Sequence, residues 1–494
     1  MSLTLPVAAR SETGHSADAR LSGLVLAAVA VGLMALAAYS PKVLGDGDTW
    51  SHLATGEWII AHGSVPRTDP FSHSMPGAPW TAHEWLSEIL LTLAFRCGGW
   101  SGVVLMTAAA AAGAALIMGL RVARDLGGAA LCVVVMLGAA QMGPSLLARP
   151  HILAAPLLAG WTVGLLDGRD RGKAPSPLLA ALMVPWANMH GGFVFGLAMI
   201  GPFALEALEA SPRGELLATL IDWALFAVAS TAAALINPYG IGAIELPFHL
   251  LGVQNLSRVS EWRPQDFSQV GPMEVALLAL LGFALTRRMA TPWIRAAMLV
   301  GLVAMALTHS RHELLFGIIG PMLLARPIAE AIGVAKSDGE RRVARVALTA
   351  TAAATLIIGA ARLIAPIERV DGTASPISAL KVVPAELRAK PVLNEYGFGG
   401  YLIWSHVRPF IDARAELFGD DMLGLYRRLA AGDPAAVEGA PERYRIAWTI
   451  LAPDSRMAQF LDREPGWRRL YADSIAVVHV RDGAARGAEG LRGD

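Results

Sequence analysis

Charged side chains are scarce in this sequence, and cysteines are nearly absent. Of its 494 residues, 17% are charged and 54% are hydrophobic, whereas a soluble globular protein carries about 25% charged residues. This shortage excludes an ordinary water-soluble protein, because too little polar surface remains to face water. The two cysteines, Cys97 and Cys132, exclude a disulfide framework and a CxxC metal site.

Several catalytic and binding motifs are missing as well. The 41 basic and 41 acidic residues balance, so net charge gives no reason to expect a nucleic-acid partner. We find no HExxH, no Walker A, no GxSxG elbow with partners and no GxGxxG between a strand and a helix. These absences speak against phosphate-loop and dinucleotide chemistry. Internal repeats, which many transporters contain, are also absent.

The sequence has instead a series of long apolar runs, several of which reach the roughly 20 residues that span a bilayer. The predicted fold class is an α-helical polytopic membrane protein of about eleven spans, followed by a small extracytoplasmic α/β domain. The predicted spans are 21–40, 101–120, 128–147, 152–166, 177–189, 192–209, 217–236, 273–286, 293–308, 312–326 and 343–364.

Short basic loops at alternate ends of these spans predict the orientation. Examples are "RVARD" (121–125), "DGRDRGK" (167–173) and "TRRM" (286–289). Since basic loops stay in the cytoplasm, we expect a cytoplasmic N-terminus and an external C-terminus. The predicted domains are a cytoplasmic tail (1–20), a membrane domain (21–366) with a large first outer loop (41–100), an extracytoplasmic domain (380–486) and a disordered tail (487–494).

In this topology the outer connections hold most of the unusual polar residues. Of the 12 histidines, only His15 falls on the cytoplasmic side. Ionisable groups at a membrane edge are expensive and usually functional. We therefore expect a water-filled cavity that opens to the outside.

The first outer loop contains the strongest candidates for chemistry. Asp46 and Asp48 form a DxD pattern just before a predicted surface helix that starts near Asp48. Asp48 is either a helix cap, a general base, or a metal ligand together with Asp46. Glu84 is a further catalytic candidate, or it stabilises the start of the next helix by its charge. Asp69 either orders a local turn or binds substrate.

The other outer loops add candidates for phosphate and substrate binding. Arg149 is expected to pair with a phosphate or with a loop carboxylate, because its planar fork suits both, and His52 is expected to have a packing role. Asp412 and Arg414 either pair with each other or help to bind an acceptor. The candidates for donor phosphate binding are Arg149, Arg311 and His312, and those for substrate binding are Asp69, His83, His151, Asn188, His190, Glu261, Asn394, Asp412 and Arg414.

The C-terminal region changes to alternating short elements. "PVLNE", "RPFIDA", "IAWTILAP" and "IAVVHVR" are predicted strands, and "GGYLIWSHV", "GDDMLGLYRRLAA" and "RMAQFLDRE" are predicted helices. This pattern predicts the small α/β domain.

Taken together, these motifs resemble the GT-C superfamily of membrane glycosyltransferases. The resemblance rests on the arrangement of spans and on "GDTWSHLATGEWIIAHGSVPRTDPFS", "HEWLSE", "WANMHGGF", "NPYG", "SRHELLF" and "VLNEYGFGGYLIWSHVRPFIDARAELFG". They are similar to a bacterial group within that superfamily, which implies the inner membrane. The last segment also resembles the start of the external domain of oligosaccharyltransferase catalytic subunits.

The resemblance implies an enzyme that moves a sugar from a polyprenyl-phosphate-linked donor, at the membrane edge, to an external glycan, lipid or protein. It implies that a first-loop aspartate acts as a base or holds a metal. Asp48 is the best match and Asp46 the second, with Mg²⁺ or Mn²⁺ as the metal. The family's second acidic motif is not clear here, so metal dependence stays open. The alternatives are a transporter or flippase of lipid-linked glycans, and a non-catalytic subunit of polysaccharide assembly.

Overall fold

The computed structural model describes residues 12–252, 263–333 and 339–483. The N-terminal part of these residues is a bundle of fourteen helices. They are α1 (Glu12–Tyr39), α2 (Asp48–His62), α3 (Trp85–Val122), α4 (Gly128–Ala140), α5 (Pro150–Asp170), α6 (Pro177–Ala180), α7 (Met183–Met189), α8 (Phe193–Ala210), α9 (Leu216–Ala234), α10 (Gly242–Leu251), α11 (Pro272–Thr286), α12 (Trp293–Thr308), α13 (Glu313–Ile332) and α14 (Glu340–Ile364).

The predicted fold class, a polytopic helical membrane protein with a small C-terminal α/β domain, is confirmed. By length and composition, eight helical segments of the described residues are able to cross a membrane. They are Asp18–Tyr39, Trp85–Val122, Gly128–Ser145, Pro150–Asp170, Phe193–Ala210, Leu216–Ala234, Ser310–Ile332 and Glu340–Ile364. Three shorter apolar helices, Pro177–Met189, Pro272–Thr286 and Trp293–Thr308, match the other three predicted spans.

Helix α3 lies at the centre of the bundle and packs against α1 and α5. Small side chains allow this close packing: Ala108 and Ala111 are completely buried. The helix breaks at Gly98 and Gly99, where Gly99 has φ of 56°, a conformation that favours glycine. The break separates the membrane-crossing part from a shorter helix that begins at Trp85.

The two ends of the bundle differ in their charged groups. At the end where α3 and α5 finish, which we call the basic end, arginines pair with acids of neighbouring helices. Arg121 contacts Asp170 at 2.9 Å, and Arg295 contacts Glu206 at 2.9 Å. At the opposite end, which we call the site end, α1 finishes and α3 and α5 begin, and the histidine-rich loops meet there.

The C-terminal domain contains a four-stranded sheet with short helices. The helices are α15 (Ile377–Val382), α16 (Ala385–Arg388), α17 (Gly399–Trp404), α18 (Ala415–Ala430), α19 (Pro434–Arg443) and α20 (Arg456–Leu461). The strands are β1 (Val392–Asn394), β2 (Trp448–Leu451), β3 (Trp467–Ala472) and β4 (Val477–Arg481), in the order β1-β2-β4-β3. Only β1 and β2 pair in parallel.

The predicted strand in "RPFIDA" (408–413) is wrong. Its backbone hydrogen bonds go to the first loop and to the side chain of Asn394 instead of to a strand. Asn394 Oδ1 accepts from the Phe410 amide at 2.8 Å, and Asn394 Nδ2 donates to the Ile411 carbonyl at 2.8 Å. Because a single amide side chain satisfies both kinds of backbone group, the segment stays extended without joining the sheet.

The C-terminal domain packs on the site end of the bundle through aromatic residues and a buried ion-pair cluster. Trp50 of α2 lies 5.1 Å from Tyr401 of α17 between ring centroids. Arg414, which is 7% exposed, contacts Asp69 of the first loop at 2.8 Å and Asp412 at 2.7 Å. The Arg414 guanidinium also lies 4.6 Å from the centre of the Trp80 ring. This cluster fastens the loop to the domain.

Replacing Arg414 with methionine should detach the C-terminal domain from the first loop. The change leaves Asp69 and Asp412 buried without their cation, which costs about 3–5 kcal/mol. We expect a lower melting temperature of the purified protein and faster proteolysis in the segment 365–376. The control is Arg408→Met, which removes an exposed arginine of the same domain. Equal melting temperatures for the two variants would contradict a fastening role for Arg414.

Candidate active site

Two aspartates and one arginine form the centre of the site end. Asp48 is the first residue of α2, and its amide donates to Asp46 Oδ1 at 2.9 Å. One guanidinium nitrogen of Arg149 lies 3.1 Å from Asp46 Oδ2, and the other lies 2.8 Å from Asp48 Oδ2. Arg149 therefore bridges both acids. The sequence predicts that Arg149 pairs with a phosphate or with a loop carboxylate, and in the structure it contacts the loop carboxylates.

Asp48 is not the N-cap residue of α2. That position belongs to Gly47, and the Asp46 carboxylate accepts the amide of Asp48 at the start of the helix. Asp46 thus does the work of a cap. The Asp48 side chain points to Arg149.

The backbone brings Arg149 to the aspartates. The Ala148 amide donates to the Val43 carbonyl at 2.8 Å, and Thr49 Oγ1 donates to the Ala148 carbonyl at 3.2 Å. Pro150 then begins α5 directly after Arg149. Because hydrogen bonds flank the arginine on one side and a helix starts on the other, its position is fixed by the fold.

The side chains of Asp46, Asp48 and Arg149 are mostly buried, but each keeps some solvent-accessible surface. Their exposed fractions lie between 16% and 19%. Burial raises the pKa of Asp46, but the charge of Arg149 and the amide of Asp48 outweigh burial and lower it. Asp46 is therefore ionised at neutral pH and forms an ion pair with Arg149.

A second group of ionisable residues surrounds Glu84, which directly precedes α3. Its carboxylate lies 3.9 Å from His52 Nε2, 3.8 Å from His83 Nε2 and 3.8 Å from His190 Nε2. Burial raises the pKa of Glu84, but His83 and His52 outweigh burial and hold it at about 2. Glu84 makes no helix-cap hydrogen bond, and its carboxylate faces these three histidines.

His52 and Glu88 also belong to this group, although the sequence predicts a packing role for His52 and does not point to Glu88. His52 Nδ1 lies 3.3 Å from Glu88 Oε1, and both side chains are buried. The sequence spacing gives a clue to both residues. His52 follows Asp48 by four residues and Glu88 follows Glu84 by four, so the members of each pair lie on the same side at the start of α2 or α3.

The later loops supply two histidines and an arginine to the same end. The rings of His151 and His190 lie 6.3 Å apart, and His151 Nε2 contacts the Ser145 carbonyl at 2.9 Å. Burial lowers the pKa of His190 to about 3, and the charge of Arg311 acts in the same direction. Arg311 therefore lies within electrostatic reach of His190. His312 turns to the Met305 carbonyl at 3.2 Å.

Several other candidates have contacts that hold the fold together. Asn188 accepts from Trp85 Nε1 at 2.7 Å and donates to the carbonyls of Val184 and Ile236. Asn394 holds the segment that follows α17, and Asp69, Asp412 and Arg414 form the buried cluster between the first loop and the C-terminal domain. Glu261 lies outside the described residues.

The C-terminal domain lies directly on the aspartates. A Cβ atom added at Gly400 would stand 2.1 Å from the Gly47 carbonyl oxygen, and one added at Gly47 would stand 2.5 Å from the Gly397 carbonyl oxygen. Glycines are therefore required where the two backbones meet. Burial raises the pKa of the neighbouring Tyr396 well above its ordinary value, and the charge of Asp48 adds to this effect. Tyr396 is not among the residues that the sequence predicts for the site.

With Arg149 in place, the aspartates do not fit a Mg²⁺ or Mn²⁺ site. Such an ion needs carboxylate oxygens turned towards it, with water or phosphate oxygens completing an octahedron. Among the residues that the structure describes, no group of three or more His, Cys, Asp or Glu side chains is arranged to hold a metal ion. Both Asp46 and Asp48 face a guanidinium instead.

No protein-family model matches the sequence, and no curated protein does. Solved structures do match. The oligosaccharyltransferase AglB from Archaeoglobus fulgidus, in complex with an inhibitory peptide and a dolichol-phosphate, is 13% identical with a TM-score of 0.52, and the match covers 90% of this chain and 70% of that one. The same organism's oligosaccharyltransferase in the apo form is 13% identical with a TM-score of 0.50, over 89% and 70% of the chains. At this identity the likeness shows a shared fold and nothing further.

Replacing His52 with glutamine should reduce the loss of thermal stability at alkaline pH. Burial lowers the pKa of His52, but Glu88, Glu84 and Asp48 outweigh burial and raise it above the ordinary 6.5. A raised pKa stabilises the fold fully below 6.5, and this contribution is lost as the pH rises through the folded-state value. Melting temperatures of the wild type and of His52→Gln should therefore converge as the pH rises.

The control for this experiment is His62→Gln, which changes an exposed histidine of the same helix. Its melting curve should follow the wild type at each pH. A difference between wild type and His52→Gln that does not change from acidic to alkaline pH would show that His52 does not carry the charge.

Proposed function

We propose that this protein is a membrane glycosyltransferase that moves a sugar from a polyprenyl-phosphate-linked donor to an external glycan, lipid or protein. The observation that carries the proposal is the bridge of Arg149 to Asp46 and Asp48, beneath the C-terminal domain. The fold supports it, since the similar AglB is described with a dolichol-phosphate and a peptide.

On the donor side, Arg149 and Arg311 are the proposed phosphate ligands, with His312 next to them. A guanidinium has five N–H donors, so Arg149 is proposed to donate to phosphate oxygens through N–H groups other than the two that face Asp46 and Asp48. The positive charge matters most when the sugar leaves, because the phosphate then gains negative charge. His83, His151 and His190 are the proposed contacts to the sugar or the acceptor.

On the acceptor side, Asp48 is the proposed general base. The acceptor hydroxyl oxygen forms a bond to the anomeric carbon of the sugar, the bond from that carbon to the phosphate oxygen breaks, and its electrons go to the phosphate. Asp48 takes the hydroxyl proton, and Glu84 is the second carboxylate available for this transfer. Asp46 positions Asp48 through the hydrogen bond to its amide.

The site end is proposed to face the outside of the bacterial inner membrane, with the N-terminus in the cytoplasm. The concentration of arginines at the basic end supports this orientation. A sugar donor anchored by its lipid chain would then reach the aspartates from the side of the bundle, and the acceptor would reach them under the C-terminal domain.

Asp48→Asn should abolish sugar transfer with little effect on folding. The change keeps the size of the side chain and removes its basicity, for which we expect a loss of about 100-fold or more. The assay uses purified protein in liposomes with a panel of polyprenyl-phosphate sugars carrying a radiolabelled sugar. It measures the labelled acceptor and the free polyprenyl phosphate.

The matched control is Glu57→Gln, an isosteric change on the same helix whose carboxylate pairs with Arg96. It should keep the wild-type rate. Transfer by Asp48→Asn at the wild-type rate would refute the catalytic assignment. Movement of the intact labelled donor across the bilayer, without release of polyprenyl phosphate, would instead identify a flippase.

A further inference from the structure

Arg149 occupies the position between the two first-loop acids at which the resemblance to GT-C enzymes allows a metal ion. Its two terminal nitrogens contact different residues, Asp46 at 3.1 Å and Asp48 at 2.8 Å. A guanidinium is planar and always charged, and its fork suits two carboxylate oxygens. A single arginine therefore supplies positive charge to both acids.

A divalent cation and Arg149 cannot both be close to the acids at low cost. Mg²⁺ requires near-octahedral oxygen ligands at about 2.0–2.1 Å, whereas the carboxylates are turned to nitrogen donors. Entry of the ion would place two positive groups side by side in a partly buried site, which raises the energy of both. The fold also resists a retreat of the arginine, because Ala148 before it is hydrogen-bonded to Val43 and Pro150 after it starts a helix.

We propose that Arg149 takes the place of a divalent cation, so that this protein does not use a metal ion at Asp46 and Asp48. The guanidinium keeps the two carboxylates apart in fixed orientations and supplies the positive charge of the site. The further role of this charge, to stabilise the departing phosphate, rests on the proposed function. The absence of a metal at the acids does not rest on it.

The test measures Mn²⁺ binding to the full-length protein, purified with EDTA and then freed of it. Electron paramagnetic resonance counts the bound Mn²⁺, and thermal unfolding with and without Mn²⁺ reports its effect on stability. Mn²⁺ bound at the acids is counted as the difference in bound Mn²⁺ between the wild type and Asp48→Asn. This difference should be zero.

Arg149→Ala should create the site that the arginine excludes. Removing the guanidinium leaves two neighbouring carboxylates, so Mn²⁺ should bind and raise the melting temperature by about 2 °C at ten times its Kd. Arg149→Ala combined with Asp46→Asn and Asp48→Asn should lose this effect. Arg96→Ala, which removes an exposed arginine, should behave like the wild type.

Two results would overturn the inference. One is a Mn²⁺ ion in the wild type that Asp48→Asn removes. The other is folded Arg149→Ala protein, shown by its melting transition, that gains no Mn²⁺ binding. If the binding results agree with the inference while no variant transfers sugar, the metal-free site stands and the proposed function fails.

Discussion

The bridge from Arg149 to Asp46 and Asp48 is the interaction on which the rest of the site depends. It joins the first loop to the start of α5, and it gives two neighbouring acids a common partner that offsets their repulsion. Without Arg149, the carboxylates of Asp46 and Asp48, which are two positions apart, would need a metal ion or a proton to offset their repulsion. The backbone next to Arg149 is also held in place, since Thr49 and Val43 form hydrogen bonds with Ala148.

Two further layers surround this bridge. Glu84 and its histidines lie beside it and provide a second carboxylate in a buried, charged environment. On another side, Gly47 and Gly400 have no side chains, so the backbone of the C-terminal domain packs directly against the backbone next to the aspartates. The site therefore has a charged centre, a polar side and a cover, and each comes from a different part of the chain.

Much of the architecture follows from the sequence because membrane solvation acts on single segments. Apolar runs of the right length become helices without help from distant residues. The sorting of polar loops to one side likewise predicted that Asp46, Asp48, Glu84 and Arg149 would meet. Here the local pattern was enough, since the alternation of spans determines which loops share an end.

Pairwise contacts could not be read in the same way. Asp69 and Arg414 are 345 positions apart, and no local pattern shows that they pair. "RPFIDA" has the composition of a strand, but the side chain of Asn394 takes its hydrogen bonds. Strand β3 does not follow from the sequence because half of the side chains in "WRRLYA" are exposed and none is fully buried, as is possible in an edge strand. The role of His52 does not follow from its own segment because its partners, Glu84 and Glu88, lie at the start of a different helix.

A cryo-electron microscopy structure of the protein with a polyprenyl-phosphate sugar bound would show whether Arg149 and Asp48 hold the donor. The phosphate should lie within hydrogen-bond distance of Arg149, the sugar beside Asp48, and the lipid chain along the outside of the bundle. A phosphate bound elsewhere, for example at the arginines of the basic end, would contradict a donor site at Arg149.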